Sequence, residues 1–382
     1  MTVLSRRAVN RATLARQLLL ERAELPVPTA VHHLVGLQAQ TPQTWYVGLW
    51  TRLRAFDPVA AGELLVGRDL VRLPAMRSTV HLLTAGDALA VRPLVQPVVE
   101  RVTMGAFGRR LRGVDRDALV AAARALVEEE PLAAADLGRR LAERFPGHDP
   151  AALAQGARAW LPMVQVPPRG VWGRGGRALQ APLDTWLSAR PDTPLDARPG
   201  TRLGPAAAAT AEDLVLRYLA AFGPATVRDV QAWSGLTRLR EVVDGLRPRL
   251  RVFTDADGAE LVDLPDAPRP DADTPAPTRF LYDYDNLLLS HADRRRVLGD
   301  PGTVDFAAHG YAADSNLQPA SVLVDGTVAA TWRVTVDRDG ARLAVRGFRR
   351  FTAREVADLA AEGAELLRFL HPDRRPVDVA VT

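Results

Sequence analysis

Two neutral amides, Gln38 and Gln40, flank one small residue in the stretch Val35-Gly36-Leu37-Gln38-Ala39-Gln40-Thr41-Pro42. An amide offers an acceptor oxygen and a donor nitrogen but is no useful base near neutral pH. Its chemistry is to hold: a water oriented against an electrophile, or the edge of a nucleobase. The rest of the composition narrows the choice. All 49 Lys+Arg residues are arginine, so no side-chain amine can form a Schiff base. With no cysteine, thiolate chemistry, disulfides and the common structural zinc sites drop out together. The seven histidines (His32, His33, His81, His148, His291, His309, His371) show no HExxH-like spacing, so neither a metal nor another cofactor is expected. Hydrolysis by a positioned water remains open.

The triplet needs elements to place it. Residues 11–22 put Leu14, Leu18 and Leu19 on one helical face, Thr29 caps a second helix running to residue 37, 38–42 reads as a turn, and 43–54 as a third helix. Leu70-Val71-Arg72-Leu73 and residues 76–83 alternate like two strands of a wing. Three helices followed by a strand pair make a winged helix. The order recurs with helices at 117–129, 133–145 and 149–160, after which Met163-Val164-Gln165-Val166 leads through a 167–170 turn to Val171-Trp172. It recurs again beyond a linker at 191–205: helices at 210–222, 226–233 and 237–246, then Arg251-Val252-Phe253 and Glu260-Leu261-Val262 about an Asp257-Gly258 turn. After a Pro- and Asp-rich linker, 264–278, strands are predicted at 280–282, 321–324, 328–336 and 341–345. A helix at 352–370, opened by a Thr352/Glu355 capping box, follows. The predicted fold is α+β and helix-rich. It comprises tandem winged helix-turn-helix units at 1–110, 111–190 and 205–265, with a β-meander and terminal helix at 278–382.

A chain of 382 residues, 47% hydrophobic, is long enough for several buried cores. No apolar run approaches a membrane span, and the first eleven residues are charged without a signal-type segment. A soluble, cytoplasmic, nucleoid-associated protein is expected. Net charge is only +4, but arginines gather at 6, 7, 11 and 16, at 109, 110 and 112, at 247, 249 and 251, and at 294–296. Such clusters can neutralise phosphates. Trp45 and Trp50 fall on the third helix and read as core.

Five stretches in order resemble the bacterial winged-helix DNA glycosylase family. They are the triplet neighbourhood, Met76-Arg77-Ser78-Thr79-Val80-His81-Leu82, residues 165–173 (QVPPRGVWG), residues 285–294 (DNLLLSHADR), and Val324-Asp325-Gly326 with Thr331-Trp332. Each is weak alone, but together they span essentially the whole chain. The Gln-apolar-Gln form is similar to the branch that includes a Streptomyces crosslink glycosylase conferring azinomycin resistance; the other large branch carries aspartate at the place of Gln40. The resemblance implies that the three winged helices form a C-shaped basic concave surface for duplex DNA, that Gln38 and Gln40 are catalytic, and that a β-hairpin near the site is needed. Residues 305–318, with His309 and Tyr311, are the candidate hairpin. Arg77, His81, Arg169, His291 and Arg294 are the further candidate DNA contacts.

The implied activity is that of a monomeric, monofunctional, cofactor-free glycosylase for bulky N7-alkylated purines and interstrand crosslinks, serving repair and self-resistance. Alkylation at N7 makes the purine cationic, so it departs neutral and needs little acid catalysis. Asp283, Asp285 and Asp293 could add a carboxylate, although a strand end and arginine pairing account for them more simply. The alternative is a non-catalytic winged-helix regulator whose glutamines read adenine or touch phosphate. An interaction scaffold, without salt-dependent DNA affinity, is a third.

Overall fold

The computed structural model describes residues 2–188, 209–311, 319–338, 340–375 and 377–382. Its folding unit recurs as helix, short strand, helix, helix, hairpin, a winged-helix-like order. The first occurrence runs through Val27–His33, Leu37–Gln38, Trp45–Trp50, Pro58–Val66, Leu70–Pro74 and Val80–Thr84. The second is Arg116–Glu129, Leu132–Ala133, Ala134–Arg144, Pro150–Trp160, Met163–Gln165 and Leu179–Pro182. In the third, a single bridge from Ala225 to Val262 stands for the short strand between Ala211–Phe222 and Val227–Ser234, with Leu239–Leu246, Arg251–Asp255 and Glu260–Asp263 following.

The first unit departs most from the sequence expectation. Gln38 lies in a strand rather than a turn, paired antiparallel with His81, and Ala39 continues the pairing by donating to the Val80 carbonyl at 2.8 Å. The helix after it is one short segment, and the third helix is Pro58–Val66, which the apolar pattern did not reveal. Its start is nevertheless written locally: Asp57 accepts from the Val59 and Ala60 amides, and Pro58 occupies the first turn, where its missing N–H costs nothing. The helix Arg6–Arg16 precedes the unit and packs against the third. In the second unit the partner of Met163–Gln165 is Leu179–Pro182, because Gly170 and Gly173 take positive φ and carry Val171-Trp172 into a loop.

The hairpins of units one and two join one six-stranded sheet. Its order is Leu37–Gln38, Val80–Thr84, Leu70–Pro74, Met163–Gln165, Leu179–Pro182, Leu132–Ala133, joined at its centre through Arg72 opposite Gln165. Residues Thr2–Leu4 add a parallel edge strand to the third hairpin. The C-terminal sheet runs Arg279–Phe280, Ser321–Val324, Thr327–Asp337, Gly340–Gly347, Val377–Val381. Its last strand, not anticipated, pairs parallel, and the helix Ala353–Leu370 is the crossover that parallel pairing demands. The Thr352/Glu355 capping box is formed as expected. The core of unit one is continuous with this sheet, since Leu37, Trp45, Tyr46 and Leu49 pack in one cluster with Phe280, Tyr282, Val345 and Leu366. Trp45 is therefore core, and Trp50 stacks on Phe369. Among the described residues no helix is long and apolar enough to cross a membrane.

Candidate active site

Gln38 and Gln40 are held by donors from both sides. The Gln38 amide N–H donates to Asn286 Oδ1 at 3.2 Å, its carbonyl accepts from the Tyr282 hydroxyl at 2.9 Å, and Asn286 Nδ2 donates to the Gly36 carbonyl at 2.6 Å. The C-terminal module thus clamps the strand that carries the triplet. Arg77 Nη2 donates to Gln38 Oε1 at 2.7 Å, and the Val80 amide donates to Gln40 Oε1 at 3.3 Å. Guanidinium and backbone N–H can only donate, so these contacts assign both amides: oxygen toward the protein, nitrogen away from it. The two differ in exposure. Gln38 is 4% exposed, whereas Gln40 is exposed at the edge of a cavity of about 210 Å³ that Gln155 and Arg158 also line.

The arginines beside the pair have no carboxylate partner among the described residues. Arg72 Nη2 donates to the Ala39 carbonyl at 2.8 Å, and its Nε and Nη1 are buried without a partner among the described residues. Burial, reinforced by Arg169, pushes its pKa down to about 10. Arg77 also donates through Nη1 to the Trp233 carbonyl of the third unit at 2.6 Å, and burial brings it to about 10 as well. Its positive φ of 54° aims the side chain back at Gln38. Arg77 is therefore engaged with a catalytic candidate. His81, opposite Gln38, is 1% exposed, and burial, then Arg77, drives it down to about 3. Its Nδ1–H donates to the Thr79 carbonyl at 2.9 Å, so it is neutral and interior, not a surface DNA contact.

The remaining candidates scatter. His291 is 5% exposed and sits between Tyr218 and Phe222, with Nε2 on the Phe222 carbonyl at 3.1 Å; burial drives it to about 3, and it too is core. His309 stacks on Phe348 at 4.2 Å and meets Thr331 Oγ1 at 2.8 Å. Tyr311 is half-buried; the rest of the candidate hairpin, 312–318, lies outside the described residues. Arg294 is exposed, and Arg169 donates to the Gly176 carbonyl at 2.9 Å. Of the aspartates, Asp285 is locked to Arg52 at 2.7 and 2.9 Å and Asp293 to Arg295 at 2.6 Å. Asp283 instead accepts from Thr41, next to Gln40, and burial pushes its pKa up. Sequence reasoning missed Arg72, Gln155, Arg158 and Tyr282. A usable signal for two of them was the Gln155/Arg158 spacing, which stacks both on one helix face.

The matched family decides what this arrangement belongs to: the model of the AlkZ-like DNA glycosylases matches residues 31–369. The chain belongs to the AlkZ-like family. Membership makes it a glycosylase-type protein of DNA repair. The solved structure of Streptomyces sahachiroi DNA glycosylase AlkZ superposes with a TM-score of 0.70 over 99% of this chain and 100% of that one, at 20% identity. That identity establishes a shared fold; the kinship with the resistance enzyme is that of one AlkZ-like protein to another. No curated protein matches the sequence.

Proposed function

We propose that this AlkZ-like chain is a monofunctional glycosylase that hydrolyses the N-glycosidic bond of N7-alkylated purines, including bulky and crosslinked ones, and so serves repair and self-resistance. It acts as a cytoplasmic monomer whose three winged helices form a basic concave surface for duplex DNA. The observation that carries this reading is the pair Gln38 and Gln40, fixed in orientation on one strand beside a polar cavity, within a family-matched segment.

Gln40, exposed at the cavity, holds the attacking water. Its oxygen keeps one lone pair beyond the Val80 contact to accept from that water, and its nitrogen steers the approach. Gln38, buried and hydrogen-bonded to a cation, fixes the strand and presents its amide nitrogen. Neither group can force departure of a poor leaving group. The site accordingly selects lesions by lability: a cationic N7-alkylpurine leaves as a neutral base, while an ordinary purine stays. The chain's arginine-only base set keeps a lysine Schiff base and the accompanying strand cleavage out of the reaction.

The test is release of N7-methylguanine from duplex DNA by the wild type and by a Gln38→Ala/Gln40→Ala double variant with an unchanged melting curve. Release by the wild type alone, with duplex affinity retained in both, supports the assignment. Binding by both without release from methylated or crosslinked duplex leaves a non-catalytic DNA-binding protein.

A further inference from the structure

The cavity beside Gln40 lies between the helices Gln96–Phe107 and Pro150–Trp160 and the first hairpin, and it is lined by Ser78, Val80, Thr103, Gln155 and Arg158 as well as Gln40. Its chemistry is that of a donor set around a cation. Arg158 donates through Nη1 to Gln155 Oε1 at 3.0 Å, and no carboxylate balances it among the described residues. Ser78, Thr103 and Gln155, each carrying a hydroxyl or amide donor, line the same cavity as Arg158. Burial lowers the Arg158 pKa, the mark of a charge taken from water without compensation.

Two occupants compete on size: the N7-alkylated base while still bonded to its sugar, and a phosphate of the DNA backbone. Charge separates them. An N7-alkylated purine is itself cationic, and beside an uncompensated guanidinium it is repelled. A phosphodiester is an anion with two non-bridging acceptor oxygens and matches the planar fork of arginine. We infer that the cavity is a phosphate subsite, in which Arg158, assisted by Gln155, Ser78 and Thr103, grips a backbone phosphate adjoining the lesion. The phosphate then neutralises the cation, sets the register of the strand against Gln40, and keeps the charged base outside the cavity.

This inference rests on the duplex-DNA reading above, and the experiment separates the two. Affinity for an undamaged duplex and for one containing N7-methylguanine is measured by fluorescence anisotropy across a potassium chloride series, for wild type, Arg158→Gln and Arg158→Lys. Thermal melting verifies that each is folded. Loss of one phosphate contact makes the slope of log K against log salt shallower by about one. Arg158→Gln is expected to show that change, with equal loss of affinity on both duplexes, while Arg158→Lys keeps the slope. An unchanged slope in Arg158→Gln overturns the subsite. So does a loss confined to the methylated duplex, which makes the cavity a base pocket. A wild type without salt-dependent duplex affinity overturns the functional reading and this inference with it.

Discussion

Two regions of the molecule bury arginines, and they treat them oppositely. Around the N-terminal helix and its contacts with the third unit and the C-terminal module, each buried guanidinium meets a carboxylate. Arg16 forks onto Asp263 at 2.6 and 2.9 Å, Arg52 onto Asp285 at 2.7 and 2.9 Å, Arg11 binds Asp325, and Arg296 lies 3.5 Å from Asp229. Around the glutamines, Arg72, Arg77 and Arg158 meet only carbonyls and amides. The first group is neutralised internally and joins segments far apart in sequence. The second leaves positive potential in place, where a polyanionic partner can complete it. Arg72, Arg77 and Arg158 belong to none of the arginine clusters read from the sequence, so clustering along the chain does not mark the cations left unneutralised.

The sharpest way to break this contrast is to orphan an arginine on the paired side. Asp263→Ala strands both Arg16 and Arg269, and the expected loss is about 3–5 kcal/mol in urea unfolding, a large share of a domain's stability. A loss below about 1 kcal/mol would erase the distinction between the regions. Next is Arg77→Ala, which releases Gln38 Oε1 from a charged hydrogen bond of about 1.5–3 kcal/mol. Single-turnover base release should fall about 10- to 100-fold, with partial recovery in Arg77→Lys; a loss of duplex affinity instead would return Arg77 to the phosphate ligands.

Acid sharpens the contrast from another direction. His81 is depressed to about 3 in the folded protein against about 6.5 unfolded, so the unfolded chain binds the extra proton. Its contribution is complete above pH 6.5 and is lost as pH falls toward 3, by about 1.4 kcal/mol at pH 5.5. His291, depressed to the same value, adds a like amount, so denaturation at pH 7.5 and 5.5 should differ by about 3 kcal/mol, with about half of that lost in a folded His81→Gln variant. The smallest effect comes from supplying the missing carboxylate. Gln155→Glu should raise stability by up to about 1 kcal/mol while weakening duplex binding, because an internal anion then occupies Arg158.

What the sequence disclosed follows from how local each signal is. Two helices of the third unit are opened by Thr210/Asp213 and Thr226/Asp229 capping boxes and the C-terminal helix by Thr352/Glu355; only the last was read as a box, but all three helices were expected near these starts, as each signal is complete within four residues. The strand holding Gln38 was not, because a two-residue strand has no periodicity and exists only through its partner at His81. Pro58–Val66 was hidden because its apolar residues are interrupted only by Gly62 and Glu63 and so show no clear period, although Asp57-Pro58 announced its start. Gln38 and Gln40 could be selected by type, but their opposite exposure could not. The same limit applies to His81 and His291, whose burial depends on neighbours remote in sequence.

The single pairing of Arg72 with Gln165 turns two hairpins into one continuous sheet. Units one and two therefore share strand hydrogen bonds at that point, and moving one against the other costs those bonds. Under the proposed function, a duplex seated on both would have to bend and unstack largely by itself to bring a damaged step to the glutamines. Duplexes already softened at the lesion are then the easier fit, whatever the identity of the adduct.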